Sequence, residues 1–88
     1  PAYMSPEQVQ GGCATAASDV WALGVLAYEL LQGTAPFGGN NIATVLYRVT
    51  HEPPFPLSGY GPPVHAAIEQ ALHKDPVQRF TTATDFVQ

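Results

Sequence analysis

From Val20 to Gln32 apolar side chains recur on nearly every face a helix would present: Val20, Trp21, Leu23, Val25, Leu26, Tyr28, Leu30 and Leu31. A surface helix carries one apolar stripe, so this distribution predicts a helix covered on most sides, the central pillar of the fold. Ser18 or Asp19 can cap its start, no proline interrupts it, and Gly33 followed by Pro36 stops it. A second helix shows the one-sided pattern: Ile42, Val45, Leu46 and Val49 follow i, i+3, i+4, i+7 spacing behind a capping Asn40 or Asn41. A third opens at Pro63 and lines one face with Val64, Ile68, Ala71 and Leu72, with Lys74 at its electrostatically favoured end and Asp75-Pro76 at its exit.

Shorter elements flank these three. Pro6 suits the first position of a helical turn through Glu7, Gln8 and Val9, which Gly11-Gly12 ends. Thr82 with Asp85 three residues on resembles a capping box that starts a last helix bearing Ala83, Phe86 and Val87. Between His51 and Pro63 lie five prolines, two glycines and no helical period, which predicts a long irregular loop of the kind kept for binding or bracing. With no alternating strand pattern, repeat or low-complexity tract, the fold class expected is all-α.

Composition narrows the function classes. Hydrophobic residues make up 45% of the 88 and charged residues only 11%, too apolar for disorder and poor in solvating charge for a free-standing surface, so something is expected to cover part of it. The net charge is −4, and the three basic residues Arg48, Lys74 and Arg79 stand far apart, leaving no electrostatic footprint for nucleic acid. Cys13 is the single cysteine and cannot form an intrachain disulfide, which favours a reducing, cytoplasmic setting. The stretch Val20 to Leu31 is about half of a membrane span's length and carries Glu29, so no membrane contact is expected. The chain opens at Pro1 with neither a methionine nor a signal sequence, and both ends look cut.

Common catalytic constellations are missing from the sequence. His51, His65, His73 and Cys13 are too scattered for a zinc site, and Cys13 has no basic neighbour to activate it. Gly11-Gly12 and Gly38-Gly39 lack the strand, helix and following lysine of a phosphate cradle and are read as helix punctuation.

Three separated segments carry a resemblance: Pro1-Ala2-Tyr3-Met4-Ser5-Pro6-Glu7, Ser18-Asp19-Val20-Trp21-Ala22-Leu23-Gly24 and Lys74-Asp75-Pro76-Val77-Gln78-Arg79-Phe80. In this order, with Gly33-Thr34-Ala35-Pro36-Phe37 and Ala71-Leu72-His73-Lys74 between them, they resemble the lower lobe of eukaryotic-type (Hanks-type) serine/threonine protein kinases. The resemblance covers essentially the whole chain and favours bacterial regulatory kinases, some of them anchored to a membrane outside this segment. It implies that residues 1–88 are a partial kinase domain, from the end of the activation segment to the start of the last helix of the C-terminal lobe. The chain would then be the helical part of the protein kinase-like α+β fold, truncated at both ends.

The same resemblance assigns roles. Ser5-Pro6-Glu7 stands where Ala-Pro-Glu closes the activation segment, and Glu7 is expected to form a buried ion pair with Arg79. Pro1, Ala2 and Tyr3 correspond to the loop end that receives protein substrate, with Tyr3-Met4-Ser5-Pro6-Glu7 favouring Ser/Thr over Tyr as acceptor. Asp19 is a helix N-terminal acid by position and, with Trp21 and Gly24, a scaffold for the catalytic loop by resemblance. The complete domain would use ATP and Mg²⁺, but the glycine-rich loop, the strand lysine, His-Arg-Asp and Asp-Phe-Gly are all absent from this sequence, so the segment is expected to bind neither and to supply no catalytic residue. The implied partners are a Ser/Thr protein substrate and the remainder of the domain. A pseudokinase, or a truncated helical interaction module, is the competing class.

Overall fold

A computed structural model describes residues 3–39, 41–81 and 86. Among the described residues four α-helices and one 3₁₀ turn are delimited, in order: α1 (Pro6–Val9), α2 (Ala16–Gln32), α3 (Ile42–His51), α4 (Pro62–Ala71) and the turn Pro76–Gln78. Among the described residues every regular element is helical. The fold is that expected of the helical lobe of a kinase.

α1 starts with Pro6, whose missing N–H would have had no partner in the first turn. Ahead of it, the side-chain carbonyl of Gln8 accepts from both the amide and the hydroxyl of Ser5, at 3.0 and 2.9 Å. α2 begins earlier than its apolar run suggests. Its cap is Thr15, not Ser18 or Asp19: the Thr15 hydroxyl accepts from the Ser18 amide at 3.3 Å, and the Ser18 hydroxyl takes the Thr15 amide at 3.2 Å in return. This exchange adds a turn of Ala16, Ala17 and Ser18 that carries no apolar period. The far end stops at Gly33, whose φ of 78° is left-handed and whose amide closes on the Glu29 carbonyl at 2.8 Å.

Asn41 caps α3 by accepting from the Thr44 amide at 2.9 Å. Its predicted apolar face is only partly covered: Val49 is buried and Val45 and Leu46 half-buried, but Ile42 is 63% exposed. α4 opens at Pro62, one residue before the expected Pro63, because Gly61 offers its carbonyl to the amides of Val64 and His65. Asp75 begins the 3₁₀ turn by accepting from the Val77 amide at 3.0 Å. The predicted Thr82–Asp85 capping box, Asn40, Pro1 and Ala2 lie outside the described residues.

α2 is the pillar. Its Trp21, Val25 and Tyr28 are buried with Phe37, Val49, Leu57, Ile68 and Leu72 in one core drawn from every later element up to α4. The proline-rich loop is held along the end of α2: Tyr28 Oη donates to the Phe55 carbonyl at 2.7 Å, Gln32 Nε2 to the Ser58 carbonyl at 3.0 Å and Tyr60 Oη to the Leu31 carbonyl at 2.8 Å. Coverage of the pillar is incomplete, since Leu26 and Leu30 are 43% and 79% exposed. No helix among the described residues is long and apolar enough to cross a membrane.

α2 and α4 approach at Gly24. A Cβ there would lie 2.9 Å from the Ala71 Cβ and 3.1 Å from a Leu72 methyl. Alanine favours the helix by up to about 1 kcal/mol over glycine, but overpacking a core costs about 1 to 3 kcal/mol, and the Ala71 Cβ cannot rotate away. Gly24→Ala is therefore expected to lower the unfolding free energy of the protein that carries this chain by about 1 to 2 kcal/mol, readable from its urea midpoint.

Candidate functional site

The site begins with α1 and the exit of the 3₁₀ turn, which bring Glu7 and Arg79 together across 72 residues of sequence. Arg79 Nη1 and Nη2 each donate to one Glu7 carboxylate oxygen, both at 2.8 Å, the fork geometry that suits guanidinium to carboxylate. The remaining donors go to main-chain carbonyls: Nε to His73 at 2.7 Å, Nη1 also to Ala17 at 3.0 Å and Nη2 also to Lys74 at 3.4 Å. Arginine has five N–H donors, and these contacts account for all of them. One side chain thus joins α1, the first turn of α2 and the exit of α4.

The expectation of a buried pair needs correction on one side. Arg79 is only 4% exposed, while the Glu7 side chain keeps 21% of its surface. Burial pushes the Glu7 carboxyl upward. Hydrogen bonds from Arg79, the backbone and the Ser18 hydroxyl at 3.0 Å, together with the charge of Arg79, more than reverse this and bring it down to about 2. Ser18, which the sequence presents as a cap candidate, is the third member of the link.

Beneath Arg79 lies an aromatic floor. Trp21 and Phe37 stack with centroids 5.4 Å apart and planes 10° from parallel. The Arg79 guanidinium sits 4.9 Å from the Trp21 centroid, and the Lys74 ammonium 4.2 Å from Phe37 and 5.3 Å from Trp21. Such contacts contribute about 0.5 to 2 kcal/mol each, more where water is excluded. The Trp21 indole N–H is buried with no hydrogen-bond partner among the described residues. Trp21 therefore acts through its faces.

The other predicted residues fall apart from this centre. Tyr3 reaches Glu29 in α2, donating its hydroxyl to Oε1 at 2.6 Å, and that bond is the first cause of its raised pKa. Asp19 is exposed on the first turn of α2, beside a shallow hollow it shares with Tyr3, Met4 and Gln8. Gly24 serves the α2–α4 contact described above. Cys13 is exposed. Thr50 and His51 form a close hydroxyl–imidazole contact at 2.7 Å, but the threonine also donates back to the Leu46 and Tyr47 carbonyls, which makes it a helix-end bond rather than an activated nucleophile. The arrangement braces backbone segments.

A model of the protein kinase domain family matches residues 1–88. The chain belongs to the protein kinase domain family. Among its relatives are the serine/threonine-protein kinase PknB of Mycobacterium tuberculosis, 39% identical over 87 residues, and PknA of the same organism, 42% identical over 85. PknB of Mycobacterium bovis matches at 39%. These alignments cover 94 to 96% of the chain but only 14% of PknB and 20% of PknA, so it spans a small share of the kinases it matches. Within this family the chain contributes helical framework. Among the described residues no three His, Cys, Asp or Glu side chains come together as a metal site, and Lys74, the single lysine, faces aromatic rings.

Proposed function

We propose that this chain is the lower helical part of a serine/threonine protein kinase domain, running from the end of the activation segment to the start of its last helix. There it anchors the segment that receives protein substrate. The observation that carries the reading is the two-pronged bond between Glu7 and Arg79 in a chain matched along its whole length by the kinase family. It ties the segment just after Tyr3 and Met4 to the helical base, so that a substrate-binding loop ahead of Glu7 would be held at a fixed height.

On this reading Pro1, Ala2 and Tyr3 belong to the loop end that receives substrate, and Asp19, Trp21 and Gly24 support a catalytic loop supplied by another part of the domain. ATP and Mg²⁺ are bound there too, and they supply the transferred phosphoryl group and the neutralisation of its charge. The residues in hand orient the acceptor segment and resist its displacement. The setting is cytoplasmic, with any membrane anchor outside this segment.

The test is phosphoryl transfer by the full protein from labelled ATP with Mg²⁺ to a protein substrate. Label on Ser or Thr is expected, with Glu7→Gln reducing transfer at a temperature where the variant remains folded. Folded protein that transfers nothing would move the chain to the pseudokinase or interaction-module class.

A further inference from the structure

Glu7 is gripped at both ends. Its carbonyl accepts from the Gly12 amide at 2.7 Å, an approach so close that a Cβ on Gly12 would lie 2.7 Å from the same oxygen. Its carboxylate meets Arg79 through both oxygens, and Oε2 also accepts from the Ser18 hydroxyl at 3.0 Å. Ser18 is 3% exposed, and its hydroxyl has a single proton to give. Thr15 Oγ1, at 3.4 Å, is farther from that hydroxyl than Glu7 and carries no charge, so the proton goes to the carboxylate.

What fixes the Ser18 hydroxyl is the start of α2. The Thr15 amide donates to its oxygen at 3.2 Å, and the Thr15 hydroxyl holds the Ser18 amide at 3.3 Å. Arg79 reaches Glu7 on a long side chain with many rotamers, whereas the serine oxygen stands one bond beyond Cβ and follows the backbone of a 17-residue helix. The fork from Arg79 supplies most of the attraction. The short bond from Ser18 sets where the carboxylate rests against α2.

We propose that Ser18 is a positioning residue for phosphoryl transfer: by holding the Glu7 carboxylate against the first turn of α2, it fixes the segment through Tyr3 and Met4 that receives the protein acceptor. This role rests on the kinase reading given above. It is separate from helix capping, which falls to the Thr15 hydroxyl. Its effect is on binding of the protein substrate and not of ATP.

The experiment measures steady-state transfer by the full protein from labelled ATP with Mg²⁺ to a Ser/Thr protein substrate, each variant being assayed below its unfolding midpoint. Ser18→Ala is expected to raise KM for the protein substrate about three- to tenfold, as part of one hydrogen bond to a charged group is lost, with KM for ATP unchanged. Ser18→Cys, similar in size but a weak donor, should do the same and serves if the alanine variant does not fold. Ser18→Thr keeps the hydroxyl and should restore most of the affinity. Thr15→Ala removes the cap but leaves the Ser18–Glu7 bond, so its KM should stay near wild type even where its Tm falls as far as that of Ser18→Ala. Equal KM effects at Thr15 and Ser18, or an unchanged protein-substrate KM in folded Ser18→Ala or Ser18→Cys, would overturn the positioning role and leave the kinase reading standing. Wild-type protein that transfers nothing would overturn both.

Discussion

Glu7→Gln in the full protein is expected to lower the unfolding free energy by about 3 kcal/mol, the lower end of the range for breaking a buried ion pair. Arg79 is the reason the loss is large. Its guanidinium is buried, and with the carboxylate gone its charge is met only by neutral carbonyls. The exposed edge of Glu7 is the reason the loss stays at the lower end, because water already screens part of the pair. Arg79→Lys is expected to do no better, since one ammonium cannot reach Glu7, Ala17 and His73 together.

The same pair sets an acid dependence. The folded carboxyl lies at about 2, below its ordinary value of 4.5. A depressed carboxyl stabilises the fold above the unfolded value and loses that contribution as pH falls through the folded one. Wild-type stability should therefore decline between about pH 4.5 and pH 2, and Glu7→Gln should flatten that decline. Urea midpoints measured across this window check both statements. An unchanged slope would mean that other carboxyls govern it.

The second large effect is expected at Trp21. Trp21→Ala removes a fully buried ring that stacks on Phe37 and underlies both Arg79 and Lys74, and should cost about 3 to 5 kcal/mol. Trp21→Phe should cost far less, about 1 to 2 kcal/mol, because an aromatic face remains and the indole N–H it deletes has no partner among the described residues. Thermal unfolding of the two variants separates them. If Phe proved as damaging as Ala, the indole N–H would have a role that its surroundings do not indicate.

Much of the fold is legible from side-chain pattern. The dense apolar run from Val20 to Leu31 marks the pillar, Gly33 its left-handed stop, and Asn41 the start of α3. Misplaced boundaries share one cause: local hydrogen bonds compete without leaving an apolar period. Thr15 and Ser18 extend α2 backwards through two alanines, and Gly61 lets α4 begin at Pro62. Ile42 fits the helical period yet points to solvent, since periodicity gives a face and not what covers it.

The site was less legible. Neither spacing nor composition links Glu7 to a residue 72 positions away; only the family resemblance connects them. The Ser18 hydroxyl on Glu7 and the three carbonyls around Arg79 depend on how three backbone segments meet. Lys74 reads as a helix-end cation in sequence, and only packing turns it onto Phe37 and Trp21. Exposed Leu26 and Leu30 agree with the scarcity of charge in the composition, which had already suggested a surface that is normally covered.

The central claim, that Glu7 and Arg79 act as one brace holding a kinase activation segment, is tested most directly by a double-mutant cycle in the full protein. Glu7→Gln, Arg79→Met and the double variant would be compared for unfolding free energy and for phosphoryl transfer to a Ser/Thr substrate. The brace predicts strong coupling, about 1.5 kcal/mol or more in stability, and transfer that falls in each single variant with little further loss in the double. Effects that add within about 0.5 kcal/mol, with transfer unchanged in folded single variants, would contradict it.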